Sequence, residues 1–175
     1  MIIDKLESYT LNIHQLDRRS TRRQLEKLLS HTTFQTPFQF RISKTNQHYL
    51  LRVQLPKQAL PYLVSFISFH NYSIYQLVLS QHEHVIEPLQ HISDSEKHYE
   101  IFIDGLTDPF IKDKVIDVLT GFQSEGIAYN FSRNLLKVTT TPLVMMSLIQ
   151  TLATRHVDIY YASLPKRAYH QSRIS

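Results

Sequence analysis

A chain of 175 residues with 42% hydrophobic and 19% charged residues can bury a core, which excludes wholesale disorder. Cysteine is absent, which excludes disulfides, thiolate metal sites and cysteine nucleophiles. The formal charge of +4 is uneven: residues 1–90 carry ten Lys/Arg against six Asp/Glu, and residues 91–175 carry nine of each.

The first seven residues, Met1 to Glu7, have no basic region followed by an apolar one, so no signal peptide is expected. Tyr9 to His14 reads as a strand with Leu11 and Ile13 on one face. Arg18 to His31 reads as a helix with Leu25, Leu28 and Leu29 inward. Phe38, Phe40 and Ile42 mark a second strand; Tyr49, Leu51, Val53 and Leu55 mark a third. Pro56 is expected to open a helix running to about His70, and Ser73 to Ser80 forms a fourth strand. Gln58 to His82 carries no Asp, Glu, Lys or Arg. Pro61, His70, Asn71, Ser73 and Gln76 interrupt that stretch, so it fits a helix and a buried strand better than a membrane span. No membrane partner is expected, and the localisation expected is cytoplasmic.

The pattern then repeats. Tyr99 to Asp104 alternates as a strand that Gly105 ends. Thr107 or Asp108 can cap a helix with Pro109 in its first turn. Phe110, Val115, Val118 and Leu119 give that helix its apolar stripe, and Gly121 or Gly126 ends it. Ile127, Tyr129 and Phe131 form a strand. Ser132, Arg133 and Asn134 turn into the next one, Leu135 to Thr139. Thr141 and Pro142 open a helix through Leu152, and Val157 to Ala162 is the last strand.

Each half therefore reads β-α-β-β-α-β. Tyr9 to Leu16 aligns with Tyr99 to Leu106 at an offset of ninety residues, and Leu50 to Val53 aligns with Leu135 to Val138 at an offset of eighty-five. Internal repetition changes the expected fold from one mixed domain to a tandem repeat. The fold class expected is α+β: two ferredoxin-like βαββαβ units, each a four-stranded antiparallel sheet with two helices on one face. The boundaries are 1–81 for the first unit, 82–97 for a linker rich in His and Glu, 98–165 for the second unit, and 166–175 for a basic tail. The helix-free faces would present Asn12, Gln39, Arg41, Leu50, Arg52, Tyr75, Leu77 and Leu79 in the first unit. In the second they would present Phe102, Asn130, Lys137, Asp158 and Tyr160. An exposed patch of Leu50, Leu77 and Leu79 calls for a cover: the other sheet, a second copy or a protein partner.

From Ile103 to Phe122 the pattern resembles a heavy-metal-associated domain. That family has the βαββαβ fold, a Gly-Met-x-Cys-x-x-Cys loop after the first strand, and a helix ending near Leu-x-Gly-Val. Gly105 and Leu106 fall where Gly-Met would be, and Asp108 and Ile111 fall where the two cysteines would be. In the first repeat the matching positions are Arg18 and Thr21. The resemblance implies a tandem of heavy-metal-associated-like repeats without thiol ligands, and so a non-catalytic interaction or regulatory module with no cofactor. The same topology occurs in ACT domains, RNA-recognition motifs and CRISPR repeat-processing endoribonucleases. Ile101 to Leu106 is similar to the first-strand motif of an RNA-recognition motif, but the third strand lacks its base-stacking aromatics.

Three constellations carry chemistry. Arg18, Arg19, Ser20, Thr21, Arg22 and Arg23 lie at a helix N-terminus, where free N–H groups, hydroxyls and guanidinium forks could hold phosphate or carboxylate. Arg41 and Arg52 extend that basic set toward nucleic acid. His82, Glu83 and His84, with Glu87, His91 and His98 nearby, could bind a divalent metal through imidazole and carboxylate, with His82, His84 and His91 the weak candidates. His14 and Asp104 occupy matching strand ends, where a general base could stand. No Walker loop, dinucleotide fingerprint or hydrolase elbow appears. Three readings follow: an interaction or regulatory module working through open sheet faces, a nucleic-acid-binding protein working through the basic helix N-terminus and an open sheet face, and an ACT-like tandem sensing a small anion or metabolite.

Overall fold

The computed structural model describes residues 5–46, 48–89 and 94–165. The first half runs β1 (Leu6–Ile13), α1 (Arg19–His31), β2 (Gln39–Thr45), β3 (His48–Pro56), α2 (Leu60–Phe69) and β4 (Ile74–Leu79). The second runs β5 (Lys97–Ile103), α3 (Pro109–Thr120), β6 (Ala128–Ser132), β7 (Leu135–Thr140), α4 (Pro142–Thr154) and β8 (Ile159–Ser163). Pro56 ends β3 rather than opening a helix. One 3-10 turn, Lys57–Ala59, intervenes before α2.

All eight strands join one antiparallel sheet in the order β2-β3-β1-β4-β8-β5-β7-β6. The chain is therefore α+β. The two separate four-stranded sheets expected from the repeat are replaced by one continuous sheet. Each half supplies four neighbouring strands, and the halves meet where Leu77 of β4 pairs with Ala162 of β8. A bond between helices also crosses this seam: the Gln150 side chain of α4 donates to the Ser68 carbonyl of α2 at 3.1 Å.

The main core lies between the sheet and the helices. It joins Leu25, Leu29, Leu63, Ile67, Leu119 and Ile149 of the helices to Leu11, Leu51, Leu77, Ile101 and Leu136 of the strands. The outward assignment of Tyr75, Leu77 and Leu79 is corrected by a β-bulge. Asn12 opposes Gln76, but Ile13 opposes Ile74, so one residue of β4 is extra and the side-chain alternation slips by one. Leu77 and Tyr75 are core residues, and Leu79 packs against the core. The second half carries the matching bulge, with Phe102 opposite Tyr161 and Ile103 opposite Ile159.

The linker is a structural part of the first half. Ser80–Val85 forms a 3-10 segment and the chain continues to Leu89 as a strap over the helix-free face. Gln76 holds it there. Its Nε2 donates to the Val85 carbonyl at 3.1 Å, and its Oε1 accepts from the Glu87 N–H at 2.8 Å. Asn12 donates to the Glu87 carbonyl at 2.7 Å. Thr10, Asn12, Gln76, Leu50 and Val78 are all buried on a face expected to be open.

Candidate functional site

The β1–α1 loop builds the most chemically distinctive site. The His14 N–H donates to the Ser73 carbonyl at 2.9 Å and fixes the residue at the end of β1. Gln15 adopts φ +64°, and the Arg18 N–H closes the turn on its carbonyl at 3.0 Å. The second half repeats this loop: Gly105 has φ +74°, Asp108 N–H bonds its carbonyl at 2.9 Å, and Asp104 N–H bonds the Asp158 carbonyl at 3.0 Å.

The side chains on the two loops differ in a way that matters. α3 opens on Asp108, whose carboxylate accepts from the Phe110 N–H at 2.9 Å, with Pro109 at the first helical position. This is an effective cap. α1 opens on Arg18, which makes no side-chain capping bond, and its first turn contains no acid. Cations beside the positive end of a helix dipole are unfavourable. The first half thus begins its helix with residues that cost stability and attract anions.

A cleft of about 320 Å³ opens beside this helix end, lined by His14, Asp17, Arg18, His48, Tyr49 and Leu89 among others. His14 Nδ1 and both ring nitrogens of His48 are buried there without a hydrogen-bond partner among the described residues. Burial, together with the Arg18 charge, holds the His14 pKa below its ordinary value, against the opposing pull of Asp17. Burial and the Arg52 charge do the same for His48. Both imidazoles are therefore neutral near pH 7, and each offers one donor and one acceptor.

Arg22 is not available to a ligand. Its guanidinium donates to the carbonyls of Leu16 at 3.1 Å and Asp17 at 2.6 Å and lies 3.8 Å above the Tyr49 ring. It holds the loop against β3. Arg18, Arg19, Ser20 and Arg23 are exposed, and Thr21 is half-buried. Lys44 of the edge strand reaches the same Tyr49 ring at 5.9 Å. Arg18 lines the cleft, and Arg19 and Arg23 of α1 and Lys44 of β2 are further exposed cations outside its lining.

Arg41 and Arg52 do not line the cleft. They pair across β2 and β3 and so share a face, whereas the neighbouring pair Lys44 and Tyr49 points to the face that carries α1. Arg52 is also occupied: its Nε and Nη2 lie 2.7 and 3.0 Å from the two carboxylate oxygens of Glu83, and it donates to Ser43 and Thr45. Arg41 is exposed. His82 and His84 sit on the strap with ring centroids 6.1 Å apart, and His91 lies outside the described residues. Among the described residues no group of three His, Cys, Asp or Glu could hold a metal ion.

Comparison with protein-family models, with curated proteins and with solved structures gives no match. No described helix is long and apolar enough to cross a membrane.

Sequence reasoning missed His48, and it placed Glu83 in a possible metal-binding run rather than opposite Arg52. His48 follows the β2–β3 turn, and only the pairing of β3 with β1 brings that turn beside His14. Glu83 looked like part of a solvated linker until the strap placed it on Arg52.

Proposed function

We propose that the chain is a non-catalytic binding module made of two ferredoxin-like units, and that its ligand is a single-stranded nucleic acid whose phosphates enter the His14–His48 cleft. The unit assignment is supported by the β-α-β-β-α-β order of each half and by the matching strand orders β2-β3-β1-β4 and β6-β7-β5-β8. It also accords with the resemblance to heavy-metal-associated domains, since Arg18 and Asp108, which stand at the first cysteine position of that family, occupy the N-cap of α1 and of α3.

The observation that carries the ligand is a cleft lined by His14, His48 and Arg18, in whose two histidines three buried ring nitrogens have no hydrogen-bond partner among the described residues. Buried polar atoms are normally satisfied, so such a set marks a place that a ligand can complete. Phosphate oxygens accept from imidazole N–H, guanidinium and helix N–H groups alike. A polymer is favoured over a small anion because further exposed cations, Arg19 and Arg23 of α1 and Lys44 of β2, lie outside the cleft lining.

The test is to follow the histidine ring signals of the protein by NMR while adding a short single-stranded RNA. The signals of His14 and His48 should move together and saturate, while those of His70 and His98, elsewhere on the surface, stay put. Movement spread evenly over all histidines, or none at His14 and His48, would reject the cleft as the site.

A further inference from the structure

The second helix of each half meets its neighbour differently. α2 and α4 end on the C-caps His70 and Arg155, and the left-handed residues that follow are Asn71 and His156, so the halves correspond here at an offset of eighty-five residues. Gln150 of α4 then corresponds to Ser65 of α2. Gln150 crosses to α2 and donates to the Ser68 carbonyl at 3.1 Å. The counterpart of that carbonyl belongs to Ala153, and Ser65 carries no amide to reach it. A groove of about 400 Å³ lies there instead, between α2 and the turn from α4 into β8, and both Ser65 and Ala153 line it.

The groove has aromatic walls and one carboxylate. Tyr62, Phe66 and Phe69 line it from one face of α2. Tyr62 is 63% and Phe69 54% exposed, and the His156 ring lies 5.8 Å from that of Phe69. The counterparts of the three rings in α4 are Ser147, Thr151 and Thr154, so the repeated fold does not itself require aromatics there. Asp158, just before β8, also lines the groove, where the first half has Ser73. Among the described residues its carboxylate makes no hydrogen bond or ion pair. Partial desolvation and the Asp104 charge raise its pKa above the ordinary value, against the pull of Lys114 and His156. A cation beside Asp158 would oppose both effects, and the described lining contains no Lys or Arg.

We infer that this groove binds an arginine side chain presented by an extended segment of a partner protein. A guanidinium suits both features of the lining, because it stacks flat on aromatic rings and forks onto a carboxylate. A polypeptide is favoured over a small free cation because the groove follows α2 from Pro61 to Phe69, about 12 Å at roughly 1.5 Å per residue. That is room for about four residues of extended chain at roughly 3.3 Å each. Tyrosine and arginine are also the side chains that anchor protein interfaces. A nucleic acid is disfavoured because Asp158 and Asp104 would repel phosphate. The groove shares no residue with the His14–His48 cleft, so the two sites stand or fall separately.

The probe is the peptide Gly-Leu-Arg-Leu-Gly, titrated into the full chain and followed by the ring signals of Tyr62, Phe69 and His156 in NMR. Those signals should shift together and saturate. Affinity should fall about tenfold or more when the peptide carries Gln in place of Arg, and likewise in the Asp158→Asn and Tyr62→Ala variants. Tyr62 and Asp158 are exposed, so both variants should keep the fold. Ser65→Gln installs the side chain that the second half carries and should abolish binding in a folded chain. Far-UV circular dichroism and the RNA titration, which should be unchanged, provide the control. No saturable shift overturns the inference, as does binding indifferent to Asp158→Asn or to loss of the guanidinium. Self-association that Ser65→Gln removes, without peptide binding, would overturn it as well and assign the groove to a second copy of the chain.

Discussion

The Gln76 side chain donates to the Ser163 hydroxyl at 2.8 Å, a bond from β4 to β8 that joins the two halves of the chain. Gln76 is fully buried and bonds four groups with its one amide: Ser163, the Val85 carbonyl, the Glu87 N–H and the Asn12 side chain. It fastens the seam and the strap at once.

Replacing Gln76 by Leu strips partners from several buried polar groups and is expected to cost about 3 kcal/mol, since each unsatisfied buried group costs roughly 1–3 kcal/mol. Urea unfolding of the variant against the parent chain measures this. Loss of less than about 1 kcal/mol would mean that water replaces the amide without penalty. By contrast, the Arg155–Asp117 pair is exposed on both sides, and Asp117→Asn should change stability by less than about 1 kcal/mol.

The two helix starts make an internal comparison. Asp108→Ala should cost about 1 kcal/mol, because it removes the capping bond to Phe110. Arg18→Asp should do the reverse and stabilise the chain by about 1 kcal/mol, because α1 gains a cap and an acid at its positive end. The same substitution should weaken RNA binding. A gain in stability with a loss of binding is the signature of a residue kept for a ligand; thermal melts and binding isotherms on one sample read both.

Acid should destabilise the protein through the cleft. His14 and His48 have lowered pKa values in the folded chain, chiefly from burial, so the unfolded chain takes up protons first as pH falls. The stability present above the ordinary histidine value near 6.5 is therefore lost as pH drops below it and through the folded values. Asp17 and Arg18 face His14, and Arg52 faces His48. Denaturation midpoints from pH 8 to pH 5 should fall, and the slope should flatten in the His14→Gln, His48→Gln double variant.

Backbone strain marks the same loop. Gln15 sits at φ +64°, where its counterpart is Gly105 at φ +74°. Gln15→Gly should stabilise the chain by up to about 1 kcal/mol, since the left-handed region carries no Cβ penalty for glycine. The converse change, Gly105→Ala, should destabilise: its Cβ would lie 2.6 Å from Ile111 Cδ1, on top of the unfavourable φ.

Element order, element type and most strand boundaries were legible in the sequence because hydrophobic period and turn residues speak locally. Leu11 and Ile13, or Tyr129 and Phe131, declare a strand wherever the chain later goes. The sheet was not legible for two reasons. The β4–β8 pairing rests on Leu77 against Ala162, which has no local signature. The bulge at Ile74 breaks the alternation that assigned Leu77 to the outside. The arginine run at α1 was visible, but its division of labour was not. Arg22 binds its own loop and Arg52 binds Glu83, and both depend on contacts far apart in the chain. His48 carried no motif at all.

The most direct measurement is fluorescence anisotropy of a short single-stranded RNA over a salt series, beside the variant Arg18→Ala, Arg19→Ala, Arg23→Ala. All three side chains are exposed and Arg22 is left in place, so the fold should be kept. Phosphate binding at the cleft should give affinity that falls steeply with salt, a shallower salt slope in the variant, and affinity there reduced about tenfold or more. Equal affinity for the two proteins, or no binding at low salt, would contradict the assignment of the cleft to a nucleic-acid strand.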